Sequence, residues 1–332
     1  MAKYTSIGGQ ALIEGIMMKN PQKKTAMAVR KPDKTIDISF IEHKSIKDKI
    51  KIFKLPVLRG IVTYIETMIQ GYKAMMKSAD ISGFTDIEEE KDKPKDEKKQ
   101  SAFTAVIMTV GTILGIALAL VLFLGIPRYA VQGIEWLAGT PFSKVVRSGI
   151  EQLLKLAVLV LYMWGVSFMK DIHRVFAYHG AEHKTIFCYE AGLDLTVENV
   201  KKQKRLHPRC GTSFLILMIL VSMIVSTVVQ MIFPGVYDIA WLWIMAKILM
   251  LPLICGLGYE LLKICGKYDN LLTRIISAPG MWLQKITTKE PEDDMIEIAI
   301  AALKACDEIE DEPTIEQTEQ VIEEETENND DI

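Results

Sequence analysis

Apolar positions along this chain gather into four long runs, separated by shorter stretches whose pattern turns periodic. Phe103 to Ile126 is 24 residues without a charged side chain, long enough for a helix to cross a bilayer. The second run, about 153–169, carries only Lys155, near its start, where a long side chain can snorkel toward water. Ser213 to Phe233 is uncharged. The fourth run, about 239–262, is interrupted by Lys247 and Pro252. A lysine inside such a run faces protein, water or a cavity, or snorkels to the nearer end. Pro252 with Gly256 and Gly258 predicts a kinked helix. The pattern as a whole predicts a mainly α fold, a polytopic helical membrane protein with four spans.

The remaining residues predict a small cytoplasmic α+β module. SIGGQALIEGIMMKN places Gly8, Gly9 and Gly15 around Gln10 and Glu14, glycines suited to a tight turn that brings backbone close to a partner. It lacks the G-K-[ST] ending of a phosphate loop. TAMAVRKPDKTIDISFIEH alternates around Pro32-Asp33 and reads as a β-hairpin, with His43 as an ordinary surface histidine. After Pro56, Val57, Ile61, Tyr64, Ile65, Met68, Ile69, Tyr72 and Met75 recur at helical spacing. They predict an amphipathic helix that either packs on the protein or lies in a membrane interface. The resulting divisions are a hairpin plus amphipathic helix over 1–84, a charged linker over 85–102, spans at 103–126, 153–169, 213–233 and 239–262, and a His-rich loop over 170–212. Helices over 263–306 include MIEIAIAALKAC, expected to pack on the N-terminal region. The segment 307–332 is acidic and poor in aromatics, the composition of a disordered tail.

Charge gives this layout an orientation. The net charge of −3 hides an asymmetry: residues 290–332 hold 18 acidic side chains against one lysine, and the rest of the chain is strongly basic. The segment before the first run and the stretch 170–209 are rich in Lys and Arg, while the PGVYD loop between runs three and four has none. Both termini and the His-rich loop are therefore expected in the cytoplasm. Arg128, Lys144 and Arg147 pull weakly the other way. KKQKRLHPR abuts a span, which suits anionic lipid headgroups rather than nucleic acid. Five cysteines, an odd number on a cytoplasmic protein, favour free or metal-bound thiols over disulfides.

The chemistry concentrates in HRVFAYHGAEHKTIFCYE, 173–190. His179 and His183 lie four residues apart and project from one helical face. Glu182 completes H-x-x-E-H, the order found in inverted zinc-dependent hydrolases. Two neutral imidazoles would hold a divalent metal, zinc by ligand type, and Glu182 would serve as general base. The plainer reading is a set of polar residues bonding one another or lipid headgroups beside a span. Two ligand sets remain open. In the catalytic set, Glu260 joins His179 and His183 from the cytoplasmic end of the fourth span, although Lys263 and Lys267 could equally pair with it. In the structural set, His207 and Cys210 close a four-ligand site, with Cys188 able to replace either. His173 and Glu14 are accessory candidates. Gly180 weakens the helix by about 1 kcal/mol relative to alanine, and Arg209 to Ser213 suits the cap of the third span.

GGQALIEGIMM, RVFAYHGAEHKTIFCYEAG, HPRCGTSF and EDDMIEIAIAALKAC together resemble the YqhQ-like family of bacterial membrane proteins, domain of unknown function 1385. The resemblance runs to about Asp307. It implies a multi-pass protein of the bacterial cell membrane and a predicted metal-dependent enzyme, a label that rests on the same histidines. The functions to be weighed are a metal-dependent, hydrolase-like membrane enzyme and a non-enzymatic scaffold or factor in membrane-protein assembly, with membrane-protein partners or a second copy. A transporter is third, supported only by Lys247.

Overall fold

The computed structural model describes residues 5, 7–21, 24–41, 45–84, 97–268 and 270–307. His43, most of the charged linker and nearly all of the acidic tail lie outside these residues. The chain begins with a four-stranded antiparallel meander in the order β1 (Gly8–Leu12), β2 (Gly15–Lys19), β3 (Thr25–Arg30) and β4 (Ile36–Phe40). The hairpin expected around Pro32-Asp33 is β3–β4, with Ala28 opposite Ile38. The glycine-rich segment before it is also a hairpin, β1–β2, with Gln10 opposite Met17.

Both faces of the central strands are apolar, and both are covered. Ile16, Met18, Ala26 and Ala28 face helices α5 (Lys170–Glu190) and α10 (Asp293–Asp307). Leu12, Met17, Met27 and Val29 face Ala74, Met75 and Ile81 of α1 (Leu58–Ile81). A strand whose successive side chains point to opposite faces reads as a continuous apolar run when both faces are buried. The C-terminal helix thus packs on the N-terminal sheet, as its apolar face required. At the edge, β4 leaves Ile38 and Phe40 about half exposed.

Helix α1 packs on the protein, one of the two placements expected of an amphipathic segment. Its small residues make the close approaches: a Cβ on Gly60 would meet the Gly256 carbonyl oxygen at 2.9 Å, and one on Gly71 would meet the Gln10 side chain. Its opposite face leaves Ile65, Met68, Ile69 and Tyr72 at least half exposed, an apolar stripe at helical spacing.

Four helical stretches are long and apolar enough to cross a membrane: 109–138, 144–166, 211–232 and 241–267. The first combines α2 (Glu97–Leu120), a π-helical turn at Val121–Gly125 and α3 (Ile126–Ala138). The linker therefore ends before 102, because Glu97, Lys98, Lys99 and Gln100 are good helix formers. The second, α4 (Lys144–Val166), starts well before 153, with Ser143 as its N-cap accepting the Val146 N–H. The third is α7 (Gly211–Ile232), and the fourth is α8 (Ala240–Lys267), which continues through Pro252. Its glycines serve packing: a Cβ on Gly256 would strike Val57, and one on Gly258 would crowd Phe214 and Met218. The short α6 (Val197–Lys201) follows α5, and α9 (Leu271–Thr287) follows α8. The α9 segment is helical where the sequence, with Pro279 and Gly280, read as a leader into the last helix. Gly280 lets it lie directly against Ser213 of α7.

Lys247 does not snorkel. It is buried against Glu151, which also meets Lys155 at 3.4 Å, and it lies 5.0 Å over the Trp243 ring. One carboxylate thus serves two ammonium groups among apolar helices. Glu151→Gln would leave both cations without an opposite charge, whereas Lys155→Met leaves the Glu151–Lys247 pair intact. We expect the first to cost about 3–5 kcal/mol and the second clearly less, read as thermal unfolding in detergent. Equal losses would contradict a shared carboxylate.

A second close approach fixes the C-terminal segment. Lys289 N–H donates to the Phe176 carbonyl at 2.8 Å, and a Cβ on Gly180 would lie 2.0 Å from the Lys289 oxygen. The glycine that weakens the helix is what allows the crossing. Gly180→Ala should therefore destabilise by about 1–3 kcal/mol. Gly149→Ala, where nothing lies within 4 Å of the added carbon, should be neutral or stabilising in the same assay.

Candidate functional site

The H-x-x-E-H residues lie on α5 where it meets β1, the 205–210 loop and the end of α9. His179 and His183 stack edge to face, ring centroids 4.4 Å apart. His179 Nδ1 lies 2.8 Å from the Thr287 carbonyl oxygen, and His183 Nδ1 is bonded to the Arg205 carbonyl oxygen. A carbonyl oxygen can only accept, so each Nδ1 carries the proton. In the neutral ring each Nε2 then holds a lone pair. His179 Nε2 lies 3.1 Å from Cys210 Sγ, and His183 Nε2 is buried without a hydrogen-bond partner.

Cys210 is the N-cap of α7, its sulfur accepting the Thr212 N–H at 3.4 Å. A helix N-terminus favours negative charge at that position. The cap expected within Arg209–Ser213 is thus the cysteine itself. His179, His183 and Cys210 present ligand atoms all within 4.8 Å of one another. An imidazole that gives its other N–H to a backbone carbonyl is the usual outer-shell arrangement of a metal-bound histidine.

A cavity of about 210 Å³ opens on this group, lined by Glu182, His183, His207, Arg209, Cys210 and the Gly8–Gly9 backbone among others. Glu182 is buried, and its carboxylate takes the Gly9 N–H. A Cβ on Gly9 would lie 2.8 Å from the Glu182 side chain, so the close backbone approach expected of these glycines is made to the glutamate of the motif. Burial pushes the Glu182 carboxyl above the ordinary carboxylate range, against smaller opposing effects of His179 and the Gly9 N–H.

His207 closes one side of the cavity, its ring 5.5 Å from that of His183 and 4.6 Å from Phe187. Burial, with the nearby His183 and Arg209, lowers its pKa to about 3. Donors of Arg209 face both of its ring nitrogens, the backbone N–H at Nδ1 (3.3 Å) and the guanidinium at Nε2 (3.4 Å). Its lone pair is therefore turned to Arg209, and it stands beside the ligand group, which does not include it.

Glu260 is not brought to the histidines, which corrects the catalytic ligand set. Its carboxylate takes a bidentate pair of bonds from Arg59, at 2.6 and 2.5 Å, and lies 3.4 Å from the Val57 N–H. There it neutralises a cation and caps the start of α1. Neither Lys263 nor Lys267 is its ion-pair partner. Glu14 is likewise engaged elsewhere, by Arg174 at 2.6 Å and by the Tyr178 hydroxyl. Cys188 donates to the Asp194 carbonyl within the core, and His173 is exposed at the start of α5.

Sequence reasoning missed Gln284. Its side-chain oxygen accepts the His207 N–H and its amide donates to the His207 carbonyl, both at 2.8 Å, which locks the 205–210 loop to α9. Nothing in a lone glutamine at the end of an unrecognised helix marks that role. Lys184, beside the motif, is buried and bridges the Lys201 carbonyl and Glu290.

Residues 55–308 match a family described as "Protein of unknown function (DUF1385)". The chain is also 35% identical over 296 residues to "Uncharacterized protein YqhQ" of Bacillus subtilis (strain 168), covering 88% of this chain and 89% of that protein. No solved structure matches it. Matched by that family over most of its length, and by the Bacillus protein across 88% of it, the chain belongs to the DUF1385 family.

Proposed function

We propose that this protein is an integral protein of the bacterial cell membrane carrying a divalent metal site, hydrolase-like in type, at the cytoplasmic interface. The observation that carries this reading is the convergence of the buried, unpartnered His183 Nε2 with the His179 ring and the Cys210 sulfur beside a cavity. His179, His183 and Cys210 would hold the ion, and the softness of one thiolate with two imidazoles suits zinc. Three protein ligands, of which His183 and Cys210 line the cavity, would leave one position open, as in catalytic rather than closed structural sites. The ion would supply Lewis-acid polarisation of a bound oxygen.

The chain's own groups define the rest. Glu182 opens on the same cavity, and burial that favours its protonated form suits a group that takes up a proton there. The Gly9 N–H holds that carboxyl in place. The His207–Arg209 pair brings positive charge to one wall, where an anionic group on a substrate would be held. The four apolar helices support membrane insertion, and the basic segments support cytoplasmic termini. The structural-site alternative needs His207 as a fourth ligand, which would require its ring to leave Arg209.

Elemental mass spectrometry of the full chain, purified without chelators, tests the site. We expect near one equivalent of zinc or another transition metal in wild type and in Glu182→Gln. His183→Ala and Cys210→Ser should lose at least ten-fold in metal affinity. A metal-free wild type, or a His183→Ala variant that keeps full occupancy, overturns the reading.

Glu182 offers a pH test in the metal-free protein. Its folded pKa is raised, so the fold is favoured while the group is protonated and loses stability as pH rises above the ordinary carboxylate value. Glu182→Gln removes that loss. We expect its thermal midpoint to equal or exceed that of wild type at pH 7, the difference closing toward pH 4. A deficit at pH 7 as large as that of His183→Ala would make Glu182 a structural residue.

A further inference from the structure

A cleft of about 850 Å³ opens between the C-terminal end of α8, the 206–209 loop and α9. Four cations line it, Arg209, Lys267, Arg274 and Lys285, and no carboxylate among the described residues does. Arg209 engages Glu190 on its other side, and Lys267 lies 5.3 Å over the Tyr268 ring. Most of the remaining wall is apolar, with Met281 and Trp282 on α9 opposite Leu206 and Pro208. The volume lies within the roughly 300–1,000 Å³ of ligand sites.

The surroundings say what kind of ligand this is. The cleft begins at the last turn of a helix long and apolar enough to cross a membrane. Helix α9 beside it turns Leu271, Leu272, Ile275 and Trp282 outward, all at least 60% exposed, together with Arg274 and Lys285. Apolar and aromatic residues outward with cations between them are the signature of a helix lying in the headgroup region. An inorganic anion would have no use for the apolar wall, and a neutral hydrocarbon none for the cations. A molecule with an anionic head and a hydrocarbon tail uses both.

We propose that this cleft binds an anionic phospholipid. Its phosphate sits among Lys267, Arg274 and Lys285, and its acyl chains run along Met281 and Trp282 into the bilayer. The site rests on membrane insertion and not on the metal. It is nevertheless adjacent to the His–Cys cavity, because Arg209 lines both. A lipid head held here lies beside the proposed catalytic groups.

The test uses the full chain in mild detergent with phosphatidylglycerol, phosphatidylcholine or inorganic phosphate, read by thermal shift and by lipid retention in native mass spectrometry. We expect phosphatidylglycerol to raise the thermal midpoint and to be retained at about one molecule per chain, while the other two do neither. Lys267→Ala/Lys285→Ala alters two exposed side chains. It should keep the lipid-free midpoint and weaken phosphatidylglycerol binding roughly thirty-fold, from the loss of two charges near an anionic head. His183→Ala should keep lipid binding unchanged, so failure of the metal site and failure of this one are distinguishable. In a second readout, phosphatidylglycerol with brominated acyl chains should quench tryptophan fluorescence less in Trp282→Phe than in wild type. Equal responses to phosphatidylcholine, a full response to phosphate alone, or undiminished binding by the double variant would overturn the proposal.

Discussion

Two hydrogen bonds from imidazole N–H groups to backbone carbonyls set the character of this structure. His179 gives its Nδ1 proton to Thr287, and His183 gives its own to Arg205. Each bond fixes a ring and a tautomer, and together they turn one Nε2 to the Cys210 sulfur and leave the other buried without a partner, where an unpaired polar atom is costly. The fold supplies the two carbonyls from separate places. Thr287 ends α9, which must lie flat on α7 at Gly280, and Arg205 belongs to a loop pinned by Gln284. Gly180 then lets the chain after α9 cross α5 and reach the sheet. The site thus depends on the assembly of segments nearly the whole chain apart.

The sheet and the apolar helices meet at this same place. Helix α1 touches both, docking its first turns on α8 through Gly60 and Gly256 and its last turns on the sheet. The middle of α5, the start of α7 and the end of α9 meet at the cavity, so a change there is felt by the apolar bundle and by the α+β layer alike. Deeper in the bundle, the Glu151–Lys155–Lys247 cluster is another place where charge is buried. It shares no residue with the His–Cys group.

Much of this was legible because membrane spans and buried strands leave strong apolar patterns. The four long helices, the β3–β4 hairpin and the packing of the last helix on the N-terminal sheet all follow from such runs. The boundaries did not follow, since charge was taken to end a span, and Glu151 turns inward instead. Helix α9 was hidden by Pro279 and Gly280, which serve its packing. In the site, helical spacing brought His179 and His183 together, and the H-x2-C spacing placed Cys210 within reach. Glu260 was chosen for lying on the right side of a membrane, a criterion blind to Arg59 two hundred residues earlier in the chain. The carbonyls that orient the histidines have no signature, because every residue carries one.

In the proposed site, two Nε2 atoms and one sulfur form a metal-binding set with one position open to the cavity. X-ray absorption at the metal edge of the zinc-loaded protein measures that set directly. It should show one sulfur and three lighter neighbours, two of them imidazoles, and Cys210→Ser should remove the sulfur. A shell with three imidazoles and a sulfur, or a sulfur that survives in Cys210→Ser, would contradict it.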